Sequence, residues 1–85
     1  MLTKKQLALL RQTPPSEKNR LQAAMDLAGL TQVQLSEHTG FTQGYISRIK
    51  NGRYSDDMPG ETMRRFAEFF GCAIEDLFPS REAVA

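Results

Sequence analysis

The 85-residue sequence contains one cysteine, Cys72, and one histidine, His38. A single thiol cannot close an intramolecular disulfide, and a reducing cytoplasm is the expected home. One imidazole and one thiol do not assemble a metal-ligand cluster, so neither a metal nor a cofactor is expected. His38 reads as a surface helix residue and Cys72 as a small buried hydrophobe. Nothing approaches the ~20 apolar residues that span a bilayer, which argues against a membrane partner. The start, "MLTKKQLALLRQTPPS", has basic residues, but its apolar stretch is too short and too interrupted for a secretory signal. No phosphate-cradling glycine-rich loop occurs, and the adjacent carboxylates Glu75 and Asp76 have no base or nucleophile nearby in sequence. No enzymatic activity is expected. Sustained two-residue alternation with β-branched residues is absent too, so no strand is predicted and the class is all-α.

What remains is ordinary in bulk. Hydrophobic residues make up 40% and charged residues 25%, the proportions of a globular domain with one modest core. The net charge of +1 hides a division. Residues 1–53 carry eight basic side chains against three acidic ones, whereas residues 54–85 carry three against seven. That asymmetry suggests a polyanion partner for the front part, with scattered surface charge as the competing account.

The chain reads as short helices punctuated by glycine and proline. A first helix is predicted over residues 3–12, with Leu2, Leu9 and Leu10 roughly on one side, and Pro14-Pro15 ends it. Ser16 is a favourable N-cap for a helix over 17–28. There Leu21, Ala24, Met25 and Ala28 follow the i, i+3, i+4, i+7 spacing of a buried stripe, and Gly29 is the stop. Thr31 and Gln34 fit a capping box, flanked by Leu30 and Leu35 at staple positions. That helix runs to about Thr39 and ends at Gly40. Phe41 and Ile46 repeat the staple around Thr42, the N-cap of a helix over about 42–51 that ends at Gly52. After the loop "RYSDDMP", Met63, Phe66, Ala67 and Phe70 mark a helix over about 60–70, closed by Gly71. A last short helix near 73–78 carries Ile74, Leu77 and Phe78 before Pro79.

Two short helices joined by "HTGFT" leave room only for a tight turn with glycine in it, the arrangement of a helix-turn-helix. Projected at about 100° per residue, the second helix places Ile46, Ile49 and Lys50 near one side. Gln43, Gly44, Ser47, Arg48 and Asn51 occupy the other. An amide, a hydroxyl and a guanidinium on one face are groups that read base edges: Gln towards adenine, Arg towards guanine, Ser as donor or acceptor. Gly44 costs a helix about 1 kcal/mol relative to alanine, and its missing side chain lets the backbone approach DNA. For these polar residues the plain alternative is a solvated helix surface, and Tyr45 reads equally as core padding. Asp56-Asp57 reads as a turn or a helix cap rather than a metal site.

Through these residues the sequence resembles the Cro/repressor-type helix-turn-helix regulators, the XRE family. "TQVQLSEHTGFTQGYISRIKNGR" follows that family's Thr-Gln, Leu-Ser, turn Gly, Ile-Ser and closing Asn-Gly, and "MRRFAEFFGCAIEDLF" looks like its following helix pair. The resemblance covers about Glu17 to Phe78 and implies a compact five-helix repressor-like domain over 16–79. Residues 1–15 would form a short N-terminal helical extension and 80–85 a flexible tail. The implied function is a sequence-specific DNA-binding transcriptional regulator acting on double-stranded DNA as a homodimer. The Leu2/Leu9/Leu10 stripe or the apolar residues near Phe78 would join the copies. Thr42, Gln43, Gly44, Ser47 and Arg48 correspond to groove-facing positions. Gln32 would bind a phosphate and brace the recognition helix, Asn51 and Arg53 would reach the DNA backbone, and Tyr45 would add a phosphate contact. The sequence departs from the pattern in a longer loop carrying Asp56 and Asp57, and in Ala73 where a Ser or Thr cap is usual. A different reading is an antitoxin-like or adaptor module whose main role is binding a partner protein, a toxin or a regulator.

Overall fold

Threonine side chains cap the start of three helices in the computed structural model, which describes residues 2–16, 18–54 and 58–79. Among those residues the regular elements are six helices and no strand: α1 (Lys4–Gln12), α2 (Leu21–Ala28), α3 (Gln32–Thr39), α4 (Gln43–Lys50), α5 (Gly60–Phe70) and α6 (Ile74–Leu77). The Asp56-Asp57 loop and the tail 80–85 lie outside the described residues. The box predicted at Thr31 and Gln34 forms, with hydrogen bonds of 3.0 and 3.1 Å. A second box, not anticipated, opens α1. Thr3 Oγ1 accepts from the Gln6 N–H at 3.1 Å, and Gln6 Oε1 accepts from the Thr3 N–H at 2.9 Å. Each box satisfies donors that a helix start leaves unpaired.

α2 begins later than predicted, at Leu21, and Ser16 does not cap it. Ser16 and Asn19 instead exchange two backbone hydrogen bonds of 2.9 and 3.1 Å across a tight turn. Lys18 within that turn has a φ of 76°, a left-handed conformation that cannot continue a helix. Asn19 serves the helix start in place of Ser16, its Oδ1 accepting the Leu21 N–H at 2.9 Å.

The predicted side of α1 is also turned. Leu2 and Leu10 are buried, but Leu9 is 47% exposed, and Leu7 packs against the core instead. Leu2 lies before the helix and is positioned by its own N–H, which donates to the Phe70 carbonyl at 2.9 Å, so helical spacing does not govern it. Every helix contributes to one core: Leu10, Leu21, Leu35, Ile46, Ile49, Phe66, Phe70 and Leu77 are fully buried. Met58, from the segment read as loop, is buried there as well.

Polar contacts then fasten α1 to α2 and to α6. Gln6 Nε2 donates to the Leu27 carbonyl at 2.9 Å, and Arg11 holds the Asp76 carboxylate with two bonds of 3.0 and 3.2 Å. Asp76 also accepts the Ala73 N–H at 3.0 Å, reaching back from the third helical position to a cap residue that has no hydroxyl of its own. Arg20 donates to the carbonyls of Thr13, Asp76 and Arg11 at 2.7, 3.2 and 3.3 Å. The hydrogen bonds from Arg11 hold the Asp76 carboxyl below the usual carboxylate range, against the opposing effect of its burial.

Acid should therefore act through Asp76. The unfolded carboxyl titrates near pH ~3.9 and the folded one lower, so between those values the unfolded chain binds more protons. Its contribution to stability is complete above about pH 5 and disappears as the pH falls through the folded value. Asp76→Ala is expected to cost about 1 kcal/mol at neutral pH, the order of a lost helix cap. Urea unfolding from neutral to acid pH should show a flatter acid limb for this variant than for the wild type. Leu10→Ala, which empties a fully buried site, is expected to lose about 2–5 kcal/mol at every pH.

Candidate nucleic-acid interface

α3 and α4 are joined by three residues, and their packing is set by side chains of α3 reaching across the turn. Ser36 Oγ donates to the Phe41 carbonyl, and Gln32 Nε2 donates to the Gln43 carbonyl at 2.9 Å. Gly40 turns the chain at a φ of 82°, where a side chain is disfavoured. Thr42 caps α4, its Oγ1 accepting the Tyr45 N–H at 3.1 Å. The two helices thus meet at a fixed angle, with one of the Gln32 amide hydrogens engaged in the brace.

α4 presents two unlike sides. Ile46 and Ile49 are fully buried behind it. Thr42, Gln43, Gly44, Arg48 and Asn51 are exposed in front, as is Arg53 just beyond. Ser47 is half-buried, its hydroxyl 3.5 Å from Asn51 Nδ2. A Cβ added at Gly44 would meet no atom within 4 Å among the described residues, so no contact there requires glycine. Tyr45 sits at the border. Its ring packs 5.2 Å from that of Phe41, and its hydroxyl lies 3.5 Å from Thr62 Oγ1.

The end of α4 is built on its last carbonyls. Gly52 takes a φ of 71°. Its N–H donates to the Ile49 carbonyl at 3.0 Å, and the Arg53 N–H donates to the Arg48 carbonyl at 2.8 Å. These are the paired bonds of a Schellman turn, and they tie the Arg53 backbone to that of Arg48. Between Arg48, Arg53, Tyr45 and Tyr54 lies an open cavity of about 330 Å³ floored by Ile49 and Met58. Among the described residues neither guanidinium has an ion-pair partner.

Two features of this surroundings were not legible in the sequence. Asn19, 1% exposed, donates from Nδ2 to the Ile49 carbonyl at 2.8 Å and lies 3.3 Å from the Tyr54 hydroxyl. Asparagine next to a helical stripe was the available signal, but a capping role says nothing of a contact with α4. The second concerns charge. Arg11 and Arg20, part of the basic surplus of residues 1–53, are engaged with Asp76 and neighbouring carbonyls. Lys18 lies over the Tyr54 ring at 5.5 Å. The cations left around α4 are Arg48, Lys50 and Arg53.

His38 stacks at 5.4 Å on Phe69. Burial pushes the half-buried Cys72 thiol up to about 11, with the nearby Asp76 charge adding to the effect. Among the described residues no three His, Cys, Asp or Glu side chains gather into a metal site, and no helix is long and apolar enough to cross a membrane.

Residues 20–79, α2 through α6, match the family model of the Cro/C1-type HTH DNA-binding domain. An uncharacterised HTH-type transcriptional regulator of Methanocaldococcus jannaschii is 34% identical over 61 residues, covering 72% of this chain and 89% of that protein. No solved structure gives a significant match. With a braced α3–α4 pair, a polar outward face on α4 and a family match over most of its length, the chain belongs to the Cro/C1-type helix-turn-helix DNA-binding family.

Proposed function

We propose that the chain regulates transcription by binding double-stranded DNA sequence-specifically as a homodimer, with α4 in the major groove. The family match favours this reading over a module whose main role is holding a partner protein. The activity is binding without catalysis, in the cytoplasm. Thr42, Gln43, Gly44, Ser47 and Arg48 face the bases; Gln32, Tyr45, Asn51 and Arg53 meet the DNA backbone. Gln32 keeps one amide hydrogen in the brace to Gln43 and offers the other to a phosphate.

Gly44 carries this reading. It weakens the helix, and the space where its Cβ would stand is open, so no contact among the described residues accounts for it. A duplex pressed against α4 would. Gly44→Ala is therefore expected to stabilise the free protein by about 0.5–1 kcal/mol while weakening its grip on DNA. Thermal unfolding and affinity measured on one preparation decide the matter. A variant that is more stable and binds equally well refutes the close approach.

One such motif touches few base pairs, so useful specificity requires two copies with recognition helices about 34 Å apart. Leu2, Leu10 and Phe78 are buried in the chain's own core, which leaves only Leu9 exposed among the named residues of the expected contact stripes. Sedimentation with DNA selected from a random pool is expected to give two chains per site. A tight, specific one-to-one complex would contradict this.

Readout and positioning should separate by residue. Arg48→Ala is expected to lose about 1–3 kcal/mol of discrimination at one position in each half-site, as for a lost bidentate bond to guanine. Gln32→Ala should weaken all sequences about equally, because a phosphate carries no base identity. Arg53→Ala should lower the salt slope by about one if it neutralises a phosphate. The measurement is affinity for single-base variants of the selected duplex at several salt concentrations. An intact base preference in the Arg48 variant would move the reading face elsewhere.

A further inference from the structure

We propose that Asn19 is a positioning residue for DNA recognition, a buried amide at the entry to α2 that sets where the far end of α4, and with it Arg53, meets the duplex. This rests on the DNA-binding reading above. Among the described residues the side chain reaches three other segments. Its Oδ1 accepts the Leu21 N–H at 2.9 Å, its Nδ2 donates to the Ile49 carbonyl at 2.8 Å, and the same nitrogen lies 3.3 Å from the Tyr54 hydroxyl. Ile49 and Tyr54 flank Arg53 in the chain. The carbonyl that Asn19 grips is also the one that receives the Gly52 N–H. Tyr54 is anchored in turn, its ring meeting that of Phe78 edge-on at 6.3 Å.

The two ends of α4 are thus held by different elements. Gln32 and Ser36 of α3 hold its beginning and the turn before it; Asn19, at the entry to α2, holds its end. The helix is about 12 Å long at 1.5 Å per residue. A tilt of about 10° about the α3 end would carry the far end by about 2 Å, well beyond the ~0.5 Å tolerance of a working polar contact. Arg53, launched from the last turn, would suffer most from that swing, and groups near Gln43 least.

The test separates the donor of this amide from its acceptor. Asn19→Ser keeps a hydroxyl near the Leu21 N–H but is too short for the Ile49 carbonyl. Asn19→Asp keeps size and acceptor and loses the N–H donors. Affinity is measured where circular dichroism shows each variant folded, against the duplex that the wild-type chain selects from a random pool. Both variants are expected to bind at least about tenfold more weakly, with Arg53→Ala adding less in either background than in the wild type, as for coupled neighbours. Gln32→Ala, at the other end, should cost the same factor in all backgrounds. In the DNA-free proteins, amide exchange at Gly52 and Arg53 should quicken at least about tenfold while that at Tyr45 and Ile46 stays within about twofold, the pattern of a local opening.

Binding close to wild type, or full additivity with Arg53→Ala, overturns the proposal. So does exchange that quickens equally in every helix, or failure of both variants to fold, since either makes Asn19 a general stabiliser. A wild-type chain that selects no duplex overturns the DNA-binding reading itself. The exchange pattern, which needs no DNA, tells that failure apart from a failure of Asn19 to hold α4.

Discussion

Helices as short as α2, α3 and α4, eight residues each, do not persist alone in water, where even favourable sequences need roughly 12–15 residues. The structure depends on side chains of one segment satisfying the backbone of another. Gln6 donates to Leu27 at the end of α2, Gln32 to Gln43 at the start of α4, and Asn19 to Ile49 near its end. Ser36 does the same for Phe41 in the turn, and Arg20 for Thr13 after α1. The buried and half-buried bonds among these satisfy polar groups that would otherwise be costly to bury, whereas the Gln32–Gln43 bond is exposed. Each also fixes an angle between elements, and this is how helices of two turns can hold side chains in register for a ligand.

The α1–α6 junction follows the same logic with charge. Ala73 offers no hydroxyl to begin α6, and Asp76 compensates by accepting the Ala73 N–H. Arg11 then neutralises that carboxylate, while Arg20 donates to the carbonyls around it. Cations from the basic part and an anion from the acidic part of the chain meet here inside one domain. The asymmetry of charge along the chain is thus partly a structural device, and the cations around α4 are among those left to face a polyanion.

Glycines in this protein do two different things. Gly29, Gly40, Gly52 and Gly71 occupy left-handed backbone positions that close helices, where a side chain would be strained. Gly44 is helical, exposed and uncrowded. The first group serves the fold, and Gly44 weakens it. That difference is visible only when conformation and surroundings are both known.

Periodicity and capping chemistry by themselves determined the all-α class, the boundaries of α3, α4 and α5, and the polar and apolar sides of α4. Those signals act over three or four residues, as in the Thr31–Gln34 box or the Ile46/Ile49 pair, and a linear reading sees them whole. The tertiary structure decided where α2 begins, which side of α1 faces inward, which cations remain free, and what holds the far end of α4. Ser16 lost the cap because Asn19, 30 residues from the Ile49 carbonyl and 35 from Tyr54, was held by both. Leu9 faces outward because Leu7 and Leu10, three residues apart, take the inward side of α1, while Leu2 is placed by a backbone bond to Phe70 and not by the helix. Hydrogen bonds across such separations leave no period in the chain, because they are chosen by which surfaces the core brings together and not by spacing along it.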